Sequence, residues 1–105
     1  MKFTIPNFTE SPLSFMRECS YACDNHAGNG ELSCMRRLAG YDYPRFHAYV
    51  HIENTSLVVN LHLDQKKPSY GTAHAHSGDY DGNEVTEEAK RIMMVYERKK
   101  GVRSN

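Results

Sequence analysis

The sequence predicts an α+β fold: a three- or four-stranded antiparallel sheet with two helices packed on one face, in the order β-α-β-β-β-α. Two segments, 45–52 and 57–64, alternate strictly between apolar and polar residues, a pattern typical of half-buried strands. Two other segments, 11–23 and 84–100, place apolar residues at the three-to-four-residue spacing of a helix. Two helices and a short run of strands therefore form the simplest arrangement that buries every apolar stripe.

The length and composition are those of one small domain. The chain has 105 residues, enough for one hydrophobic core, and we expect a single domain over 1–105 with 101–105 as a flexible tail. Thirteen basic and thirteen acidic residues balance, so the overall charge does not attract nucleic acid or an anionic membrane. We recognise neither a secretion signal nor an apolar run of membrane-spanning length, and we expect a cytoplasmic protein with reduced cysteines.

The N-terminal half is predicted to contain an edge strand, a helix and a second strand. The edge strand, 2–6, ends in a proline, which cannot donate to a strand ladder. The helix begins after Ser11, a good N-cap, with Pro12 at its first position. Turn residues over 24–30 end this helix, and a strand is expected within 31–40. The inner stripe of the helix is expected to be Phe15, Met16, Cys19 and Cys23.

The two alternating segments are predicted to form a hairpin whose register follows from hydrophobicity. If Arg45 lies opposite Asp64 and His47 opposite His62, every apolar residue of one strand meets an apolar residue of the other. A slip by one residue would separate the two apolar sets, so this register is favoured. It places two imidazoles and an ion pair side by side on the face away from the core.

The chain after this hairpin is predicted as a long polar loop over 64–83 and a final helix over 84–100. We expect the buried stripe of that helix to be Val85, Ala89, Ile92, Met93 and Tyr96. The shared core is expected to include Phe46, Val50, Leu57, Val59, Leu61, Ile92 and Met93.

The histidines of the outer face form a candidate zinc site. Neutral imidazole is a good zinc ligand, and two opposed histidines supply two of the four ligands of a tetrahedral site. The polar loop carries further histidines and acids that can complete the set. The candidate metal ligands are His47, His62, Asp64, His74 and His76, with Asp79 as an alternative acid. A plain polar sheet face explains the same pattern without metal.

The same face is a candidate interface. Its members outside the zinc set are Arg45, Tyr49, His51, Val58 and Asn60. Tyrosine and arginine are enriched in protein interfaces. We therefore expect a small interaction module that binds a protein partner or a second copy of itself.

Two further metal sets are compatible with the sequence. Cys19, Cys23, His26 and Cys34 contain the ligand types of zinc, although the cysteines also fit the apolar core. Asp79, Asp81 and Glu88 lie at calcium-ligand spacing around Gly82. Helix capping by Asp81 or Asn83, with acidic residues in the first turn, explains the second pattern without calcium.

Two other functions remain open. A metal- or histidine-dependent hydrolase on the same face would use a histidine as general base, Asp64 to orient it and Arg45 or Lys66 to hold an anion. A nucleic-acid-binding domain would use the basic end of the last helix, including Lys99 and Lys100. The α-β-β-β-α order is similar in topology to the double-stranded-RNA-binding domain. The last helix, which starts lysine-rich in that family, starts acidic here.

Three strings resemble a family of small uncharacterised bacterial proteins. They are "YDYPRFH", "NLHLDQKKPSYG" and "HSGDYDG" followed by an acidic helix, and the resemblance covers roughly 40–92. The family implies no activity and no catalytic residue. The resemblance does imply that the "LDQKKPSYG" and "HSGDYDG" loops belong to one functional unit.

Overall fold

The computed structural model describes residues 1–24, 30–65 and 82–101. Its α+β class and antiparallel sheet confirm the prediction, with two helices and five strands in these ranges. In chain order the elements are β1 (Lys2–Ile5), α1 (Pro12–Glu18), β2 (Ala22–Asp24), β3 (Leu32–Arg37), β4 (Arg45–Glu53), β5 (Ser56–Asp64) and α2 (Asn83–Gly101).

The sheet is larger than the three or four strands expected. Its five strands run in the order β1-β5-β4-β3-β2, and every neighbouring pair is antiparallel. The extra strand is β2, which the sequence pattern assigned to the first helix. That helix ends at Glu18, and Ser20 adopts a left-handed φ of 77°, which an α-helix cannot continue through. Tyr21 then enters the core, and the chain after it pairs with β3.

The β4–β5 register is the one predicted from hydrophobicity. Arg45 pairs with Asp64, and His47 pairs with His62. The apolar residues of both strands consequently share one face, where Val50 meets Val59. The polar residues of both strands therefore face away from the core.

Both helices cover this apolar face. Helix α1 lies against β2 and β4, and α2 lies against β5. Their most deeply buried side chains join those of the sheet in one cluster. Fully buried members are Phe15, Met16, Val50, Leu57, Val59, Leu61, Val85 and Ile92. Met93, expected in the core, is only partly buried at its margin.

One pair of cysteines corrects the expectation of reduced thiols. Cys23 and Cys34 lie directly opposite each other on β2 and β3, with Cα atoms 4.0 Å apart, and form a disulfide. The prediction was wrong because it placed Cys23 on a helix, where it could not pair with a residue of β3. Disulfides are typical of oxidising compartments, so the expected cytoplasmic location stays a prediction. Among the described ranges, no helix is both long and apolar enough to cross a membrane.

Candidate functional site

The candidate site is the sheet face opposite the two helices, called the open face below. Alternation along β3, β4 and β5 brings polar side chains from three neighbouring strands onto it. Its central members are Ser33, Met35, Arg45, His47, Tyr49, His51, Asn60, His62 and Asp64. All of these side chains are half-buried.

Three of these side chains form a relay across three strands. The Oγ atom of Ser33 lies 2.8 Å from Nε2 of His47, and Nδ1 of His47 lies 3.5 Å from Oδ2 of Asp64. Met35 is the residue directly opposite His47, so Ser33 is its diagonal neighbour on the same face. Each strand thus supplies one member, in the order β3, β4, β5. We call this set the Ser33–His47–Asp64 relay.

The acid of the relay is shared with an arginine. Nε of Arg45 lies 3.5 Å from the Oδ2 atom of Asp64 that faces His47. The guanidinium of Arg45 also lies over the Tyr43 ring, 4.5 Å from its centroid. These contacts hold Arg45 and, through it, the carboxylate of Asp64.

The surroundings favour the neutral form of His47. Burial lowers its pKa most; Asp64 opposes this shift, while the nearby charge of Arg45 adds to it. A neutral imidazole has one donor and one acceptor nitrogen. With Nδ1 carrying the proton towards Asp64, Nε2 accepts the hydrogen bond from the Ser33 hydroxyl.

A row of three rings crosses the open face beside the relay. The Tyr49 ring lies 4.5 Å from the ring of His47 and 6.2 Å from that of His62, measured between centroids. Tyr49 also lies directly opposite Ser33 on one side and Asn60 on the other. The face therefore presents rings, a hydroxyl and an amide within one patch.

The predicted zinc set is only partly placed. His47 and His62 are opposed as expected, but the two nitrogens of His47 face Ser33 and Asp64. Within the described ranges, no group of three or more His, Cys, Asp or Glu residues is placed to hold a metal ion. His74, His76 and Asp79 lie outside the described residues, so zinc on this face stays a prediction.

The predicted interface residues lie on the open face, with one correction. Arg45, Tyr49, His51 and Asn60 are half-buried there, and His51 also contacts Glu31 and Glu53. Val58, by contrast, is only 4% exposed. It sits between Thr4 of β1 and His51 of β4, because β5 is paired on both edges. Val58 therefore offers almost no surface to a partner.

The cysteine set does not form a zinc site. Cys23 and Cys34 are bonded to each other and have no thiolate to offer a metal. Burial raises the pKa of Cys19 to about 12, so it stays a thiol. His26 lies outside the described residues.

Glu88, the predicted bidentate ligand of the calcium set, is buried in the interior of the protein. The side chain of Glu88 is 4% exposed and points into the helix–sheet junction. Arg91 binds both its oxygens at 2.8 Å, Tyr21 donates to one at 2.7 Å, and Arg36 lies 3.3 Å from the other. Asp79 and Asp81 lie outside the described residues.

The basic end of α2 is partly neutralised. The ammonium of Lys99 bridges the carboxylates of Glu10 and Glu18, which raises its pKa. Lys100 lies over the Tyr96 ring, 5.3 Å from its centroid. Two of the cations expected to meet phosphates thus have partners within the chain.

Ser33 is the member of the Ser33–His47–Asp64 relay that the sequence did not indicate. Serine on a polar strand face is common, and nothing around Ser33 marks it. The register of β3 against β4 would have revealed the contact, but β3 has no strict alternation from which that register follows.

No protein-family model, no curated protein and no solved structure matches this chain. The resemblance carried by the three strings stays a prediction. Evidence for a function therefore comes from the geometry of the open face.

Proposed function

We propose that this chain is a small interaction module that binds a second copy of itself through the open face. The observation that carries the proposal is the half-buried patch in which Tyr49 lies between His47 and His62. Rigid rings bury a large area at a small cost in side-chain entropy, which suits them to protein interfaces. None of the described helices packs over these rings.

The size of the face supports a dimer. Strands of three to nine residues, at about 3.3 Å per residue and about 4.8 Å between strands, make a face of roughly 500 Å². Two copies packed face to face would bury about 1,000 Å² in total, near the minimum for a specific protein interface.

The charges of the open face do not by themselves favour one orientation of a dimer. At one end of the three central strands, Arg45 lies 3.5 Å from Asp64, and Arg37 lies 3.3 Å from Asp42. The proposal therefore rests on the patch of rings and not on charge.

The oligomeric state in solution tests the proposal. We expect a dimer at tens of micromolar by sedimentation velocity, and a monomer for Tyr49→Asp, which places an unpaired charge at the centre of the patch. Tyr41→Asp is the matched control because Tyr41 is 76% exposed in the turn before β4. That variant should remain dimeric.

A second variant guards against a folding defect in β4. Asn60→Glu changes the residue opposite Tyr49 on the neighbouring strand and should also yield a folded monomer. A wild-type monomer at the highest attainable concentration would overturn the proposal. So would dimers of both folded variants that are as tight as the wild type.

A further inference from the structure

We propose that Ser33 is a nucleophile activated by His47, and that the open face transfers acyl groups from small, unhindered esters to water. This activity belongs to the monomer, because a dimer formed through the open face would cover Ser33. It gives a role to the hydrogen bond between the hydroxyl of Ser33 and the imidazole of His47.

The relay has the connectivity that nucleophilic catalysis requires. A hydroxyl is a weak nucleophile until a base within hydrogen-bond reach takes its proton, and that base must be oriented by a third group. Ser33 lies 2.8 Å from His47, and the other ring nitrogen of His47 faces Asp64 at 3.5 Å. The nucleophile, base and orienting acid sit on three paired strands, whose ladders fix their spacing.

The chemical step balances with water as the only co-reactant. Oγ of Ser33 attacks the ester carbonyl carbon while Nε2 of His47 takes the hydroxyl proton. The bond to the leaving alcohol then breaks, and that alcohol takes the proton from His47. Water next attacks the acyl-Ser33 ester, with its proton passing to His47 and on to Ser33 Oγ. The products are a carboxylic acid and an alcohol.

The developing oxyanion needs a donor, and the fold restricts which groups can serve. Strand β3 is paired on both edges, so its backbone amides are engaged in the ladders. Among the described neighbours of Ser33, the donor is therefore a side chain. Tyr49 lies directly opposite Ser33 on the same face and carries a hydroxyl.

This arrangement sets the substrate class. Side-chain donors on a sheet face give weaker oxyanion stabilisation than a preformed pair of amides, so slow hydrolysis is expected. Small esters with good leaving groups need the least stabilisation, which makes p-nitrophenyl acetate a suitable probe.

Asp64 is assigned as a positioning residue, because it acts through His47. Its carboxylate holds the ring with Nε2 towards Ser33, and Arg45 holds the carboxylate. Asp64→Asn should slow acylation while Asp64→Glu restores part of it, since the longer acid can still accept from His47. If Asp64 acted only through folding, the loss of rate in each variant would follow its loss of stability, and Asp64→Glu would not restore the rate at equal stability.

Covalent trapping tests the proposal directly. The full chain is mixed with p-nitrophenyl acetate without added metal, and the nitrophenolate burst, the intact mass and the acetylated peptide are recorded. We expect one acetyl group, located on Ser33, and no burst from Ser33→Ala. Ser56→Ala is the matched control, because Ser56 lies on β5 opposite Glu53, away from His47, and its burst should equal that of the wild type.

The base is tested by a second matched pair. His47→Gln should slow acylation of Ser33 about 100-fold or more, the lower range of general-base contributions. Lys90→Gln introduces the same residue at an exposed position of α2, outside the open face, and should leave the rate unchanged.

Three results would overturn the proposal: acetylation of lysines or histidines with Ser33 unmodified, a burst unchanged in Ser33→Ala, or activity that requires added zinc. Failure of self-association is a separate result. Acylation is measured at concentrations from below to above any dimer midpoint. Its rate per chain should fall above the midpoint, because a dimer through the open face covers Ser33, and should stay constant for a chain that remains monomeric.

Discussion

The hydroxyl of Tyr21 donates a 2.7 Å hydrogen bond to the carboxylate of Glu88, joining the segment after α1 to the second turn of α2. The carboxylate is nearly inaccessible to solvent, and Arg91 binds both of its oxygens. Arg91 also donates to the backbone carbonyl of Cys19. This buried network ties the helix end, the sheet and α2 together.

Glu88→Gln should destabilise the protein by about 3 kcal/mol, because removing one partner of a buried ion pair leaves the other charge uncompensated. Urea unfolding followed by circular dichroism measures the change. Glu87→Gln is the control, since Glu87 is exposed and pairs only with Lys90 among the described contacts. Equal unfolding free energies for the two variants would contradict a structural role for the network.

Stability should fall at alkaline pH because of Tyr21. Burial, and then the neighbouring Glu88, raise the pKa of Tyr21 far above its usual 10.0. Above pH 10 the unfolded chain therefore releases a proton that the folded chain retains. Each further pH unit costs about 1.4 kcal/mol of unfolding free energy, and this contribution is fully present only below pH 10.

Tyr21→Phe isolates that effect. The variant should be less stable at neutral pH, because Glu88 loses a hydrogen bond, and its unfolding free energy should decline less steeply above pH 10. Tyr41→Phe, at an exposed position, should keep the wild-type slope. The same slope in Tyr21→Phe and the wild type would show that Tyr21 ionises normally.

The disulfide should stabilise the protein through its effect on the unfolded chain. It closes a loop of sequence separation 11, for which the chain-entropy model gives about 3 kcal/mol. Unfolding with and without reductant, with Cys23→Ser as the unbridged variant, measures this. Alkylation of the unreduced, unfolded chain should label Cys19 alone; labelling of all three cysteines would show that the bond is absent.

Truncation of a side chain should cost much more stability on the buried face of β5 than on its open face. Leu61→Ala removes a fully buried side chain and should cost about 2–5 kcal/mol. Asn60→Ala, its neighbour on the open face, should cost about 1 kcal/mol or less. Thermal or urea unfolding of the pair checks the register, and similar losses would indicate that β5 is not one-sided.

Sequence periodicity determined the central hairpin. The strict alternation of 45–52 and 57–64 predicted both strands, their pairing and the opposition of His47 to His62. A slip by one residue would separate the two apolar sets, and a short loop within 53–56 fixes the remaining choice, so the hydrophobic pattern and the loop length together define the register. The last helix was equally predictable from its spacing, although Glu88, which the sequence suggested as a calcium ligand or as an acid near the helix start, proved to be buried.

Tertiary structure decided the rest. The position of Cys23 depends on the left-handed conformation of Ser20, which the sequence does not reveal. Because the chain turns there, α1 is shorter than expected, a fifth strand forms, and Cys23 is bonded to Cys34. The contact of Ser33 with His47 likewise arises from pairing between strands that are distant in sequence. Periodicity predicts which face of an element is buried, because the spacing of apolar residues is a local property of the sequence. The neighbours of a polar side chain depend instead on strand registers, which only the assembled sheet defines.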